Sequence, residues 1–114
     1  MSKMDPQVKE VWIDALLSGK YKQGRTKLQN QDGEFCCLGV LCDLYDKAHP
    51  NATLRDAKGY AGKWHSLPYE VRSWSGISEV GEFHLVDGTH CSLARLNDEG
   101  MKFPDIANVI REHF

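Results

Sequence analysis

The sequence lacks any long hydrophobic run and any excess of charge of one sign. Fourteen basic residues face sixteen acidic ones, which gives a formal net charge of -2. A chain without a net basic field is not expected to bind nucleic acid backbones or anionic membranes as its main partner. The amphipathic first segment carries Lys9, Glu10 and Asp14, which neither a signal peptide nor a membrane span would tolerate. These absences predict a cytoplasmic protein.

The composition that remains is typical of a folded protein. The chain has 114 residues, of which 41% are hydrophobic and 26% charged. This length suits one domain over residues 1–114, large enough to bury its own core. From the spacing of the apolar residues we predict an α+β fold, with four or five short helices around a small antiparallel sheet or hairpin.

A buried central helix is predicted in segment 35–44, which reads FCCLGVLCDL. Cysteine, leucine and valine are among the residues most often found fully inside proteins. Gly39 in the middle of a helix costs about 1 kcal/mol relative to alanine, so we expect another backbone or a ligand to approach closely there. The chain has four cysteines and shows no export signal, which predicts free thiols rather than disulfides.

The remaining elements follow from capping residues and apolar spacing. Asp5 and Pro6 start a first helix that Gly19 ends, and Ser66 is a candidate cap for a helix over 67–74. Further helices are expected over 92–99 and 103–114. Asp87-Gly88 predicts a hairpin with a two-residue turn. Segment 51–62 is predicted to be the longest loop, and 21–28 a basic loop or edge strand.

Several motifs resemble those of a widespread group of small uncharacterised bacteriophage and prophage proteins. The motifs are WIDALLSGKY at 12–21, CCLGVLCDL at 36–44, LPYEVRSW at 67–74, and LARLNDEG at 93–100 followed by Phe103 and Ile106-Ala107. The chain is more loosely similar to a bacterial domain of unknown function, in which a tryptophan stands at the position of Leu96. The resemblance implies a phage protein in the bacterial host cytoplasm, and it implies no catalytic residue.

A zinc site is the first chemistry to weigh, because the chain has enough ligands for one. The candidate ligands are Cys36, Cys37, Cys42, Cys91, His84 and His90. Structural zinc sites pair their ligands at spacings of two to four residues on tight turns, whereas vicinal cysteines on a helix point about 100° apart. The spacing therefore predicts no metal site, and we expect no other cofactor.

A cysteine nucleophile is the alternative that remains open. Cys36 or Cys37 would lie in the first turn of a helix, where the helix dipole lowers a thiol pKa. His84 or His90 would then serve as the base, oriented by an acidic or amide side chain. Inert core cysteines account for the same residues with fewer requirements.

Nucleic acid reading is disfavoured in the last two helices. The final helix carries Asp105 and Glu112 with only Arg111 beside them, whereas recognition helices bring several basic or amide groups to the groove. The cluster Asn97-Asp98-Glu99 is interpreted as structural, since such side chains readily bond nearby backbone.

A ligand-binding surface is predicted from aromatic and basic residues beside two loops. Trp64 is the best candidate for a surface anchor, while Trp12 and Trp74 fall on apolar stripes. Aromatic rings stack on bases and basic side chains clamp phosphates. If the loops converge, the predicted set is Arg25, Lys27, Tyr60, Lys63, Trp64 and His65.

These patterns favour a binding protein over an enzyme. The expected function is to engage a host defence component, either by sequestering a small nucleotide signal or as an inhibitor that binds a host protein. The alternative is a cysteine-dependent hydrolase or transferase. A homodimer is compatible with so small a protein, although no heptad or exposed apolar run predicts one.

Overall fold

The first helix forms where the sequence predicts it. The structure, a computed structural model, describes residues 4–57 and 59–114. Helix α1 spans Pro6–Leu17, and the Asp5 carboxylate caps it by accepting hydrogen bonds from the backbone N–H groups of Gln7 and Val8. Its apolar stripe faces the core, so Trp12 and Leu16 are buried.

The cysteine-rich segment forms the central helix, as predicted. Helix α2 spans Cys37–Ala48, and its first six residues are all buried. A Cβ atom added at Gly39 would lie 1.7 Å from the backbone oxygen of Leu28. The expected close approach at this glycine is therefore confirmed, and the approaching group is backbone rather than ligand.

The later helices confirm the predicted positions with one corrected cap. They are α3 over Tyr69–Ser75, α4 over Leu93–Asp98 and α5 over Phe103–His113. Pro68, rather than Ser66, occupies the N-cap position of α3. The residue before a proline is pushed to an extended conformation, and Leu67 accordingly donates its N–H to the backbone oxygen of Glu79.

Two short antiparallel hairpins complete the described fold. Strands β1 (Arg55–Asp56) and β2 (Gly59–Tyr60) form the first, inside the segment that was predicted to be a loop. Strands β3 (Glu82–His84) and β4 (His90–Ser92) form the second, as expected. The turn of this second hairpin is not the predicted two-residue type. The N–H of Leu85 bonds the oxygen of Thr89, so three residues form the loop.

The helices and hairpins bury one shared core. Helix α1 packs against α2 and α5, and α2 also packs against α3 and α4. Five helices and two hairpins in the described residues confirm the predicted α+β class. Among residues 4–57 and 59–114, no helix has the length and apolar character needed to cross a membrane.

Candidate functional site

Two loops that are distant in sequence meet beside the N-terminal half of α2. The N–H of Leu28 donates to the backbone oxygen of Trp64 at 2.6 Å. The Nδ1 atom of His65 lies 2.7 Å from the backbone oxygen of Thr26. The Lys27 Nζ atom stands over the Trp64 ring, 5.4 Å from its centroid. Segments 26–28 and 64–65 of the two predicted loops therefore lie side by side.

These two loops form what we call the basic–aromatic surface. It consists of Arg25, Lys27, Lys63, Trp64 and His65. Arg25, Lys63 and His65 are exposed, while Lys27 and Trp64 are half-buried. Because Trp64 is partly buried, its neighbours hold the side chain while part of it stays in contact with solvent. A fixed, part-exposed aromatic ring among cations suits a planar anionic ligand.

Backbone strain is concentrated in the two loops. Thr26 has φ of 66° and Ala61 has φ of 52°, and they are the two residues other than glycine with positive φ in the described chain. A β-branched residue is rarely found in this region. Thr26 is held there from two sides, because its N–H donates to Asp98 at 2.8 Å and its oxygen is bonded by His65. Strained residues held by their surroundings cluster at binding and active sites.

Tyr60 supports this surface from below rather than lying on it. Its side chain is 1% exposed, and the Arg55 guanidinium covers its ring at 5.4 Å. Its hydroxyl lies 3.4 Å from the Gln29 side-chain oxygen. Burial raises the pKa of Tyr60 well above the usual value, so its hydroxyl stays protonated. The structure therefore gives this predicted contact residue a positioning role.

Arg25 lies at the far end of its loop, toward the turn between α4 and α5. Its Nη2 atom is 3.0 Å from the place that a Cβ atom on Gly100 would occupy. Alanine at position 100 would therefore crowd the guanidinium. Gly100 also has a φ angle of 102°, a backbone conformation that favours glycine.

The cysteines are arranged as core residues. Cys36 is the N-cap of α2 and Cys37 its first residue, so both lie where the helix dipole acts. Burial nevertheless raises the pKa of Cys36 to about 11 and that of Cys37 well above its usual value. Desolvation outweighs the dipole because the thiols are 4% and 0% exposed. The thiol pKa values are therefore raised, whereas the position at the start of the helix predicted that they would be lowered.

The predicted base residues are not hydrogen-bonded to these thiols. His84 and His90 face each other across β3 and β4, with ring centroids 5.1 Å apart. Both are exposed, and the Nε2 atom of His90 is paired with the Glu82 carboxylate at 2.8 Å. The Cys37 Sγ atom instead contacts the backbone oxygen of Leu93 at 3.6 Å. Within the described chain, no hydrogen bond joins either histidine to Cys36 or Cys37, so the predicted thiols and bases are not paired.

Asn97 connects the site to the core, a role that the sequence analysis assigned only in general terms. Its side-chain oxygen accepts hydrogen bonds from the Gln23 side chain at 2.9 Å and from the Cys37 N–H at 3.2 Å. Its side-chain nitrogen donates to the Gly24 oxygen at 2.8 Å. The residue is fully buried. Asn97 is therefore structural, as interpreted, but its partners are distant in sequence rather than the nearby backbone that was expected. The bonds anchor the loop that carries Arg25 and Lys27.

A second group of polar residues was not singled out from the sequence. The Tyr21 hydroxyl donates to the Asp43 carboxylate, and the Lys47 ammonium lies 3.0 Å from the same carboxylate and 3.1 Å from the hydroxyl. Burial and the neighbouring carboxylate raise the pKa of Tyr21. The spacing of Asp43 and Lys47, four residues apart on a helix, was the available signal. No such local pattern includes Tyr21.

The comparisons with known proteins identify the family. The family DUF8296, a domain of unknown function, matches residues 4–114. The match spans nearly the whole chain, so this protein belongs to that family. No curated protein and no solved structure matches the chain. Among residues 4–57 and 59–114, no three histidine, cysteine or acidic side chains are grouped so that they could hold a metal ion.

Proposed function

We propose that this protein binds a small nucleotide at the basic–aromatic surface. The observation that carries the proposal is the meeting of Lys27 with the Trp64 ring at the junction of two loops. Lys27 occupies one face of the indole, and a base would stack on the exposed part of the ring. Stacking of a base on an aromatic side chain contributes about 1 to 3 kcal/mol.

The other residues of the surface supply contacts of matching chemistry. Lys63 and Arg25 are exposed cations that would pair with phosphate oxygens. The Nδ1 atom of His65 faces a carbonyl oxygen, which only accepts, so this nitrogen carries the proton. In the neutral ring the Nε2 atom is then an acceptor for a ribose hydroxyl or a base amino group.

The biological setting that we propose is phage infection of a bacterium. Sequestering a nucleotide signal in the host cytoplasm would disable a defence response that depends on it. The setting is supported by the motifs at 12–21 and 36–44, which resemble those of phage and prophage proteins. The nucleotide is supported by the chemistry of the surface alone.

The test is calorimetric titration with a panel of linear and cyclic mononucleotides and dinucleotides. For the nucleotide that binds most tightly, the protein variant Trp64→Ala combined with Arg25→Ala should show at least about tenfold weaker binding, equivalent to about 1.4 kcal/mol. Tyr69→Ala combined with Arg111→Ala is the matched control, because it removes an exposed aromatic residue and an exposed arginine that lie outside the two loops. The control should bind as the wild type does, and both double variants should melt within a few degrees of it.

Two results would contradict nucleotide binding at this surface. One is the absence of binding across the panel, and the other is equal binding by the wild type and the Trp64 and Arg25 double variant. A large fall in melting temperature of that variant would show that the two residues are structural.

A second candidate function, inhibition of a host protein, is favoured by the tip of the β3–β4 hairpin. Val86 is fully exposed and Leu85 is 40% exposed. Burial of these two side chains against a partner protein would be favourable, because it removes apolar surface from water. If the tip binds the target, Val86→Ser should abolish protection of a phage from a bacterial defence system. Nucleotide titrations would be unchanged by that substitution, which separates the two functions.

A further inference from the structure

A groove of about 270 Å³ lies between α1, α2 and the segment that follows α1. It shares no residue with the basic–aromatic surface. Its apolar wall includes Val11 and Leu44, and Val11 is 51% exposed. The volume lies below the range of about 300–1,000 Å³ typical of drug-sized ligands. A molecule that fills it is therefore small.

The groove contains charges of both signs. Asp14 lies on the α1 side, and Lys20 follows the end of that helix. Both side chains are exposed, and in the described part of the chain neither makes a hydrogen bond or an ion pair. Lys47, by contrast, is already paired with Asp43 and with the Tyr21 hydroxyl. The groove thus presents one unpaired carboxylate and one unpaired ammonium.

The paired residues make one wall of the groove rigid. Tyr21 is held by Asp43 and Lys47, and its ring packs edge-on against Phe35 at 5.1 Å. Lys47 also stands over the Tyr21 ring at 5.2 Å. A wall fixed in this way requires little ordering when a ligand binds, which lowers the free-energy cost of binding.

We propose that this groove binds a small zwitterion with an apolar body, of the size of a free amino acid with a large apolar side chain. The ammonium group pairs with Asp14, the carboxylate pairs with Lys20, and the side chain covers Val11 and Leu44. A purely anionic ligand would face the Asp14 carboxylate, and a purely cationic one would face Lys20 and Lys47. The proposal does not rest on nucleotide binding.

The experiment is an NMR titration of the ¹⁵N-labelled full chain with three probes. L-phenylalanine carries both charges, 3-phenylpropionate lacks the ammonium and 2-phenylethylamine lacks the carboxylate. We expect saturable shifts of Val11, Ala15 and Leu44 amides with L-phenylalanine. The two singly charged probes should bind about threefold more weakly, since each leaves one of the two exposed charged side chains without its partner.

Charge variants assign the contacts. Asp14→Asn should weaken L-phenylalanine binding about threefold and leave 3-phenylpropionate binding unchanged or stronger. Lys20→Gln should weaken L-phenylalanine binding to a similar degree and leave 2-phenylethylamine binding unchanged or stronger. Glu10→Gln and Lys102→Gln are matched controls, because both residues are exposed and lie outside the groove.

Three outcomes would overturn the proposal. They are no shift with L-phenylalanine at millimolar concentration, equal binding of all three probes, and shifts at these amides that depend on protein concentration alone. The second would mean that the groove recognises only apolar surface. The third would mean that a second copy of the chain covers it.

Discussion

Gly39→Ala is the substitution whose effect the structure specifies most sharply. In an ordinary helix interior this change stabilises by about 1 kcal/mol. Here the new methyl group would lie 1.7 Å from the Leu28 oxygen and 2.5 Å from its carbonyl carbon. Real Cβ atoms essentially never approach closer than 3.0 Å, so the two backbones must separate by more than an ångström.

Movement of the Leu28 backbone would disturb the packing of its side chain and break a backbone hydrogen bond. Its side chain is fully buried, and its N–H donates to the Trp64 oxygen. Overpacking costs about 1 to 3 kcal/mol and a lost hydrogen bond about 1 kcal/mol, against a helix propensity gain of about 1 kcal/mol. We therefore expect the free energy of unfolding to fall by about 2 kcal/mol and the melting temperature by about 8 °C.

The assay is urea unfolding followed by circular dichroism and by tryptophan fluorescence. Gly62→Ala is the matched control, because φ at position 62 is 81° but no atom lies within 4 Å of the added methyl group. The control measures the cost of left-handed backbone alone, about 1 kcal/mol. If Gly39→Ala is as stable as the wild type, or loses no more than the control, the argument from close backbone approach is refuted.

Two further predictions concern buried groups. Asn97→Ala should lower the free energy of unfolding by about 3 kcal/mol, because the Cys37 N–H and the Gly24 oxygen lose a partner. Asn108→Ala is the control in the same urea assay. Its side chain is exposed and accepts a hydrogen bond from Arg111, so the free energy of unfolding should change by less than about 0.5 kcal/mol. In iodoacetamide labelling at neutral pH, intact mass should show Cys91 as the one thiol modified in the folded chain and all four in denaturant, since burial raises the pKa of Cys36 to about 11. The unfolded chain loses this proton near pH 9.0 while the folded chain keeps it, so stability should fall as the pH rises from 9.0 toward 11. Rapid labelling of Cys36 in the folded chain, or stability that does not fall over this pH range, would contradict that burial.

The sequence by itself determined the local elements of this protein. Asp5 and Pro6 fixed the start of α1, Gly76 ended α3, and the apolar spacing of α5 placed Ile106 and Ile110 inside. Such features depend on hydrogen bonds and side-chain spacings within a few residues, which sequence patterns display directly. The close approach at Gly39 was also visible, because glycine in a helix interior is unfavourable unless something requires it.

Only the tertiary structure decided which residues share a surface. The loops that carry Lys27 and Trp64 meet through the bond between Leu28 and Trp64, which joins positions more than thirty residues apart. The same packing buried Tyr60 beneath the surface and raised the pKa of Cys36 where the helix position alone predicted the opposite. Burial and convergence depend on the whole core, so no local pattern in the sequence contains them.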